Sequence, residues 1–214
     1  MYGVTIARGL RVSIQYCMVK SMTERLTAQD WIDFALKTLA HEGFEALKAD
    51  VLARKLGITR GSFYWHFNDL EAFHTRVIER WKQAATEAII VDIERYGSPE
   101  PRMEALLRHA FGHGASLELR MRTWAASNTD AARAVAEIDR RRKDYIENLL
   151  IEAGVAPETA TTRAQLVYWT YLGAALSQTR LKGERLDRTV AEVKRIGLGG
   201  AASQVGRRVA GQSD

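Results

Sequence analysis

Apolar residues recur along this chain at three- and four-residue spacing, and glycine, proline and capping residues punctuate them; the pattern predicts helices with no strand between them. Thr27 and Asp30 form a capping-box signature ahead of Trp31, Phe34, Ala35 and Leu39, a stripe that Gly43 closes. Val51, Leu52 and Leu56 mark a short second helix. Gly57 can end it in the left-handed region, and Thr59 is placed to cap a third. Phe63 and Phe67, four apart, anchor the third helix inward, with Trp65 expected in the same core; Arg60, Ser62, Tyr64 and His66 are left outside. Asn68 with Glu71 signals the next start, after which Leu70, Phe73, Val77 and Trp81 line a long helix reaching toward Tyr96.

Gly97-Ser98-Pro99-Glu100-Pro101 is the sharpest break. Beyond it, Met103, Leu106, Leu107, Ala110 and Phe111 predict a fifth helix, and Leu117, Met121 and Trp124 a sixth. Val135, Ile138, Tyr145 and Leu149 predict a seventh, closed by Gly154 and Pro157. An eighth runs to about Leu181, and Leu186, Val190 and Val193 mark a ninth. The expected fold is all-α, with about nine helices in two domains, 23–82 and 83–196. They are flanked by an arm or over-extended start at 1–22 and a flexible tail at 197–214.

Composition narrows the class. A chain of 214 residues that is 46% hydrophobic can bury a substantial core, and no apolar run approaches the length of a membrane span. Cys17 is the single cysteine, so neither an internal disulfide nor a cysteine-based zinc site is available; a reducing cytoplasm is the expected location. The net charge is +5, but its distribution matters more. From Met22 to Phe67 the bases Arg25, Lys37, Lys48, Arg54, Lys55 and Arg60 are balanced by the acids Glu24, Asp30, Asp33, Glu42, Glu45 and Asp50. The first 21 residues add Arg8, Arg11 and Lys20 with no acid. Charge alone is therefore weak support for nucleic-acid binding, and the case rests on geometry.

That geometry is a helix, a glycine turn and a second short helix between Leu47 and Phe67, the grammar of a helix-turn-helix. The run Leu56-Gly57-Ile58-Thr59-Arg60-Gly61-Ser62-Phe63-Tyr64-Trp65-His66-Phe67, some twenty residues after an amphipathic helix, resembles the DNA-binding domain of the tetracycline-repressor-like (TetR) family. The resemblance covers Thr23 to Trp81; the rest shares only the all-helical layout. It implies a homodimeric transcription factor, usually a repressor, whose second domain binds a small molecule that releases DNA. On this reading Lys48, Thr59, Arg60, Gly61, Ser62, Tyr64 and His66 form the DNA-binding set. Arg60 reads a base, Tyr64 and Lys48 hold phosphates, and double-stranded operator DNA is the partner. Two positions depart from the family pattern: Lys48 stands where a Thr or Ser often caps, and Leu70 where a Lys often grips phosphate.

The second domain offers Met103, His109, Phe111, His113, Met121, Trp124, Tyr168 and Trp169 as walls and polar anchors for an unidentified effector, against the plainer reading of core packing. His109 and His113, four apart, match metal-ligand spacing, but no third ligand completes a set, and no metal or other cofactor is expected. Arg140-Arg141-Arg142-Lys143, flanked by Asp139 and Asp144, reads as a solvated face. Gly197-Leu198-Gly199-Gly200 follows a helix and lacks the strand context of a dinucleotide fingerprint. No nucleophile, base and orienter stand together, so an enzyme is not expected.

Small residues in the eighth helix point to close helix approach. Leu172, Gly173, Ala174, Leu176 and Ser177, with Val190 and Val193 of the ninth, are the expected homodimer interface. The function expected is a ligand-responsive, sequence-specific regulator, a repressor on a palindromic operator. The alternative is a helical small-molecule- or partner-binding protein that has lost DNA binding, motivated by Leu70 and the neutral reading segment.

Overall fold

The computed structural model describes residues 26–199, which divide into two compact units between Arg80 and Trp81. The expected N-terminal arm and most of the expected tail lie outside the described residues. Among the described residues there is no strand. The helices are α1 (Ala28–Glu42), α2 (Ala49–Leu56), α3 (Arg60–Tyr64), α4 (Leu70–Lys82), α5 (Ala88–Glu94), α6 (Pro99–Gly112), α7 (Ser116–Ala125), α8 (Thr129–Glu152), α9 (Pro157–Leu176) and α10 (Gly183–Leu198). A π-helical turn, Gln83–Glu87, runs without a break between α4 and α5, so the nine expected rods are present with the fourth carrying a bulge.

The first unit is built on an aromatic cluster. Thr27 caps α1 through a reciprocal pair: its hydroxyl accepts from the Asp30 amide at 3.2 Å, and the Asp30 carboxylate accepts from the Thr27 amide at 2.9 Å. Such caps stabilise a helix by about 0.5–2 kcal/mol. Trp31, Ala35, Leu36 and Leu39 of α1 are buried. The Trp31 and Phe63 rings meet edge to face at 5.4 Å, and Phe73 of α4 lies 5.0 Å from Phe63 and 4.8 Å from Phe67. Burying side chains of this size contributes about 1.5–3 kcal/mol each, which fixes a five-residue α3 that could not persist alone. The start of α4 is capped by Asp69 rather than Asn68: its carboxylate accepts from the Ala72 amide at 2.7 Å.

The second unit is a helical bundle. Met103, Leu107 and Phe111 of α6, Tyr145, Ile146, Leu149 and Leu150 of α8, Val167 and Tyr168 of α9, and Val190 and Val193 of α10 share one buried core. α10 continues to Leu198, where Gly197 packs against Leu150 and Val167. This shortens the expected tail at its start.

Candidate functional site

The exposed surface of the first unit is organised by the turn between α2 and α3. Gly57 takes φ 69°, ψ 27°, a left-handed conformation that suits a residue without Cβ, and the Gly57 and Ile58 amides cover the Arg54 and Ala53 carbonyls. α3 then begins at Arg60, after Thr59 in extended conformation; Thr59 makes no side-chain capping bond, so its hydroxyl stays exposed. Arg60, Gly61, Tyr64 and Lys48 are exposed, and Ser62 and His66 half-buried. The Arg60 guanidinium donates to the Tyr64 hydroxyl at 2.8 Å and lies 5.4 Å from its ring centroid. Lys48, at the start of α2, pairs with Glu45 at 3.2 Å and makes no cap. His66 falls beyond the end of α3, beside Phe67.

Trp65 departs from expectation: it is 81% exposed, while Phe67 is buried. The reason is angular. Phe63 and Phe67 share a face, and a residue midway between them points to the opposite side. Trp65, at the C-terminal end of α3, is thus an exposed indole, as Arg60 and Tyr64 are exposed side chains. Arg76 of α4, with its guanidinium 5.4 Å from the Phe67 ring, is a further cation on this unit. Neither was among the expected DNA contacts; Trp65's place between two inward phenylalanines was the available signal.

Residues 32–73, which hold α1 to the start of α4, match the family of bacterial regulatory proteins, tetR family. Residues 32–73 thus form a tetR-family segment within the first unit. Over 42 residues it is 48% identical to the HTH-type transcriptional regulator SrpR of Pseudomonas putida, a match that covers 20% of each chain. Two solved structures resemble it over most of its length. Reduced NemR of E. coli has a TM-score of 0.64 at 20% identity and covers 80% of this chain and 97% of its own. The TetR-family regulator SCO4454 of Streptomyces coelicolor has a TM-score of 0.70 at 13% identity, covering 90% and 98%. At these identities the likeness shows a shared fold.

In the second unit, Met103, Phe111, Met121, Trp124 and Tyr168 are buried, and Met103, Phe111 and Tyr168 belong to its core. His109 is half-buried, and its Nδ1 has neither solvent contact nor a hydrogen-bond partner. His113 is exposed and stacks on His109 with centroids 4.5 Å apart. Among the described residues no third ligand joins this pair. Trp169 is 59% exposed, apart from the buried set, because it follows Tyr168 on a helix and turns outward.

The basic run contains a surprise as well. Arg140 and Arg141 are exposed, but the Arg142 side chain is only 14% exposed. It donates to Glu118 of α7 at 3.0 Å, to the Thr86 hydroxyl at 3.2 Å and to the Ala85 carbonyl at 3.0 Å, and lies 5.5 Å from the Tyr171 ring centroid. Glu118 also pairs with Arg122, which reaches Asp139 at 2.5 Å; Asp139 accepts from the Tyr168 hydroxyl at 2.6 Å. Two half-buried cations thus face the buried Glu118 and the half-buried Asp139. Burial and the neighbouring Asp139 push the Tyr168 phenol well above its ordinary range. Burial, with the charges of His113 and Arg142 adding to it, lowers His109 to about 4.

Of the expected dimer residues, Gly173, Leu176 and Ser177 are exposed, whereas Leu172 and Ala174 pack partly against the core. Val190 and Val193 are buried within this chain's own core and are not free for a partner. The exposed apolar stripe of α9 is Leu166, Trp169 and Leu176, with Gly173 between them.

Proposed function

We propose that this chain is a ligand-responsive transcriptional regulator that binds a palindromic operator as a homodimer and represses from it. The observation that carries this reading is α3: a short helix held by Phe63 in an aromatic core, with Arg60, Gly61, Tyr64 and Trp65 exposed on it or at its end. Its first turn is free to enter a major groove, with Arg60 reaching a guanine edge and Lys48, Tyr64 and His66 holding phosphates. SrpR and the solved neighbours are regulators by name, which supports the same reading.

The stripe Leu166, Trp169, Gly173 and Leu176 on α9, apolar and exposed in the single chain, supports dimerisation through that face. An isologous pair would set two reading heads on a twofold axis and so favour an inverted-repeat operator. The effector enters the second unit and shifts the equilibrium between DNA-competent and released arrangements through differential affinity.

Selection of binding sites from a randomised duplex pool tests the reading. Enrichment of an inverted repeat, bound with steep salt dependence and lost on scrambling, is the expected result. No enrichment would favour the second reading, a helical binding protein without DNA activity. The half-buried Leu70 at the first position of α4 supports that second reading, since no lysine stands there to grip phosphate.

A further inference from the structure

An unpartnered polar atom inside the second unit points to what the effector is. The His109 Nδ1 is buried and lacks any hydrogen-bond partner. Leaving such a group unsatisfied costs about 1–3 kcal/mol, and native proteins rarely carry one without a ligand, a water or a chemical role for it. The ring belongs to α6, the helix that also supplies Met103 and Phe111 to the core.

The charges nearby are already spoken for. Arg142 acts on His109 from α8 but is paired with Glu118; Arg122 is paired with Glu118 and Asp139; Asp92, which acts from α5, is paired with Arg95. An incoming carboxylate or ammonium would lose its hydration and meet no uncompensated counter-charge, a poor exchange in a buried site. The imidazole itself is uncharged at neutral pH. A neutral imidazole nitrogen donates or accepts according to its tautomer, and a hydroxyl satisfies it in either case, whereas a carbonyl or ether satisfies only one. The burial of the ring suits a mainly apolar body around that one hydroxyl.

We propose that the effector is an uncharged, mainly apolar alcohol or phenol whose hydroxyl bonds to His109. This rests on the reading of the second unit as an effector domain and adds the chemical class that unit accepts.

The test is calorimetric titration of the full chain, without DNA, with 1-naphthol, 1-methylnaphthalene, 1-naphthoate and 1-naphthylmethylammonium. The expected order places 1-naphthol about tenfold or more tighter than each of the other three, the hydroxyl being worth one satisfied buried hydrogen bond. In His109→Phe, which keeps a ring of similar size, naphthol and methylnaphthalene should bind alike. A parallel measurement does not depend on that variant folding: 15N-labelled histidine spectra of the wild-type protein should show the His109 Nδ1 resonance shift on adding naphthol and stay still with methylnaphthalene. Equal affinities in wild type, a preference for either charged probe, no binding of naphthol, or a still Nδ1 resonance would overturn the proposal. Operator release is scored separately, so naphthol bound without release would leave the site standing and count against the regulatory reading instead.

Discussion

The Arg142 guanidinium donates to the Ala85 carbonyl oxygen at 3.0 Å, so a side chain of α8 covers a backbone acceptor of the π turn between α4 and α5. A π turn holds one residue more than an α-helical turn and leaves its carbonyls less regularly paired. Arg142 satisfies one of them while its other nitrogens hold Thr86 and Glu118, and Arg141 beside it reaches Glu87 at 3.1 Å. The connector is thereby fastened to the helices of the second unit at its irregular point.

Removing Arg142 should therefore be expensive. Arg142→Met is expected to lower stability to urea by about 3–5 kcal/mol, because Glu118 stays buried with one partner fewer. Adding Glu118→Leu should recover most of that loss, since Arg122 keeps Asp139. A single variant as stable as wild type would show that the pair contributes nothing.

Acid should weaken the fold through His109. The unfolded imidazole takes its proton near pH 6.5 and the folded one only near 4. Above 6.5 neither state is protonated and the group is silent; as pH falls toward 4 the unfolded chain binds more protons and stability drops. His74, also lowered by burial, acts in the same direction. Between pH 7 and 5 the His109 contribution is at most about 2 kcal/mol. His109→Phe should flatten that part of the stability profile, and identical slopes in both proteins would contradict the assignment.

Gly61 separates internal from external constraint. A Cβ built there meets only the Thr59 hydroxyl, at an ordinary 3.7 Å, so nothing inside the chain requires glycine. Gly61→Ala should stabilise the protein, by up to about 1 kcal/mol from helix propensity, yet weaken operator binding because the added methyl meets the DNA. Unchanged affinity would place the DNA elsewhere.

The α9 stripe predicts association. Trp169→Arg should turn a dimer into a monomer in light scattering at micromolar concentration while helix content is preserved. Leu172→Ala, in a residue that packs on the chain's own core, should cost stability more than assembly. A monomeric wild type would remove the basis for a palindromic operator.

Most of the fold was legible because amphipathic stripes and caps are local signals. The Thr27 box, the Gly57 turn and the inward pair Phe63 and Phe67 all rest on contacts within a few residues. Arg142 was legible in principle: Val135, Ile138, Arg142, Tyr145 and Leu149 form one three-four stripe, so the arginine stands at an inward position among exposed neighbours. Its charge type hid its place. Trp65 was misplaced by weighing its hydrophobicity above its angle. Val190 and Val193 show a deeper ambiguity, because an apolar helix face looks the same whether its partner lies in the same chain or in a second copy. The π turn carries no local mark, and the side chain that satisfies its Ala85 carbonyl lies more than fifty residues away in sequence.

The central claim is that α3 reads sequence through Arg60, and a binding series on single-base operator variants at two salt concentrations tests it most directly. Arg60 must leave the Tyr64 hydroxyl to reach a base, freeing Tyr64 for phosphate. Arg60→Ala should cost about 1–3 kcal/mol per half-site and erase discrimination at one operator position. Lys48→Ala should weaken every sequence alike and flatten the salt slope. Equal losses on all variants for Arg60→Ala, with discrimination intact, would show that Arg60 holds phosphate and that α3 does not read sequence through it.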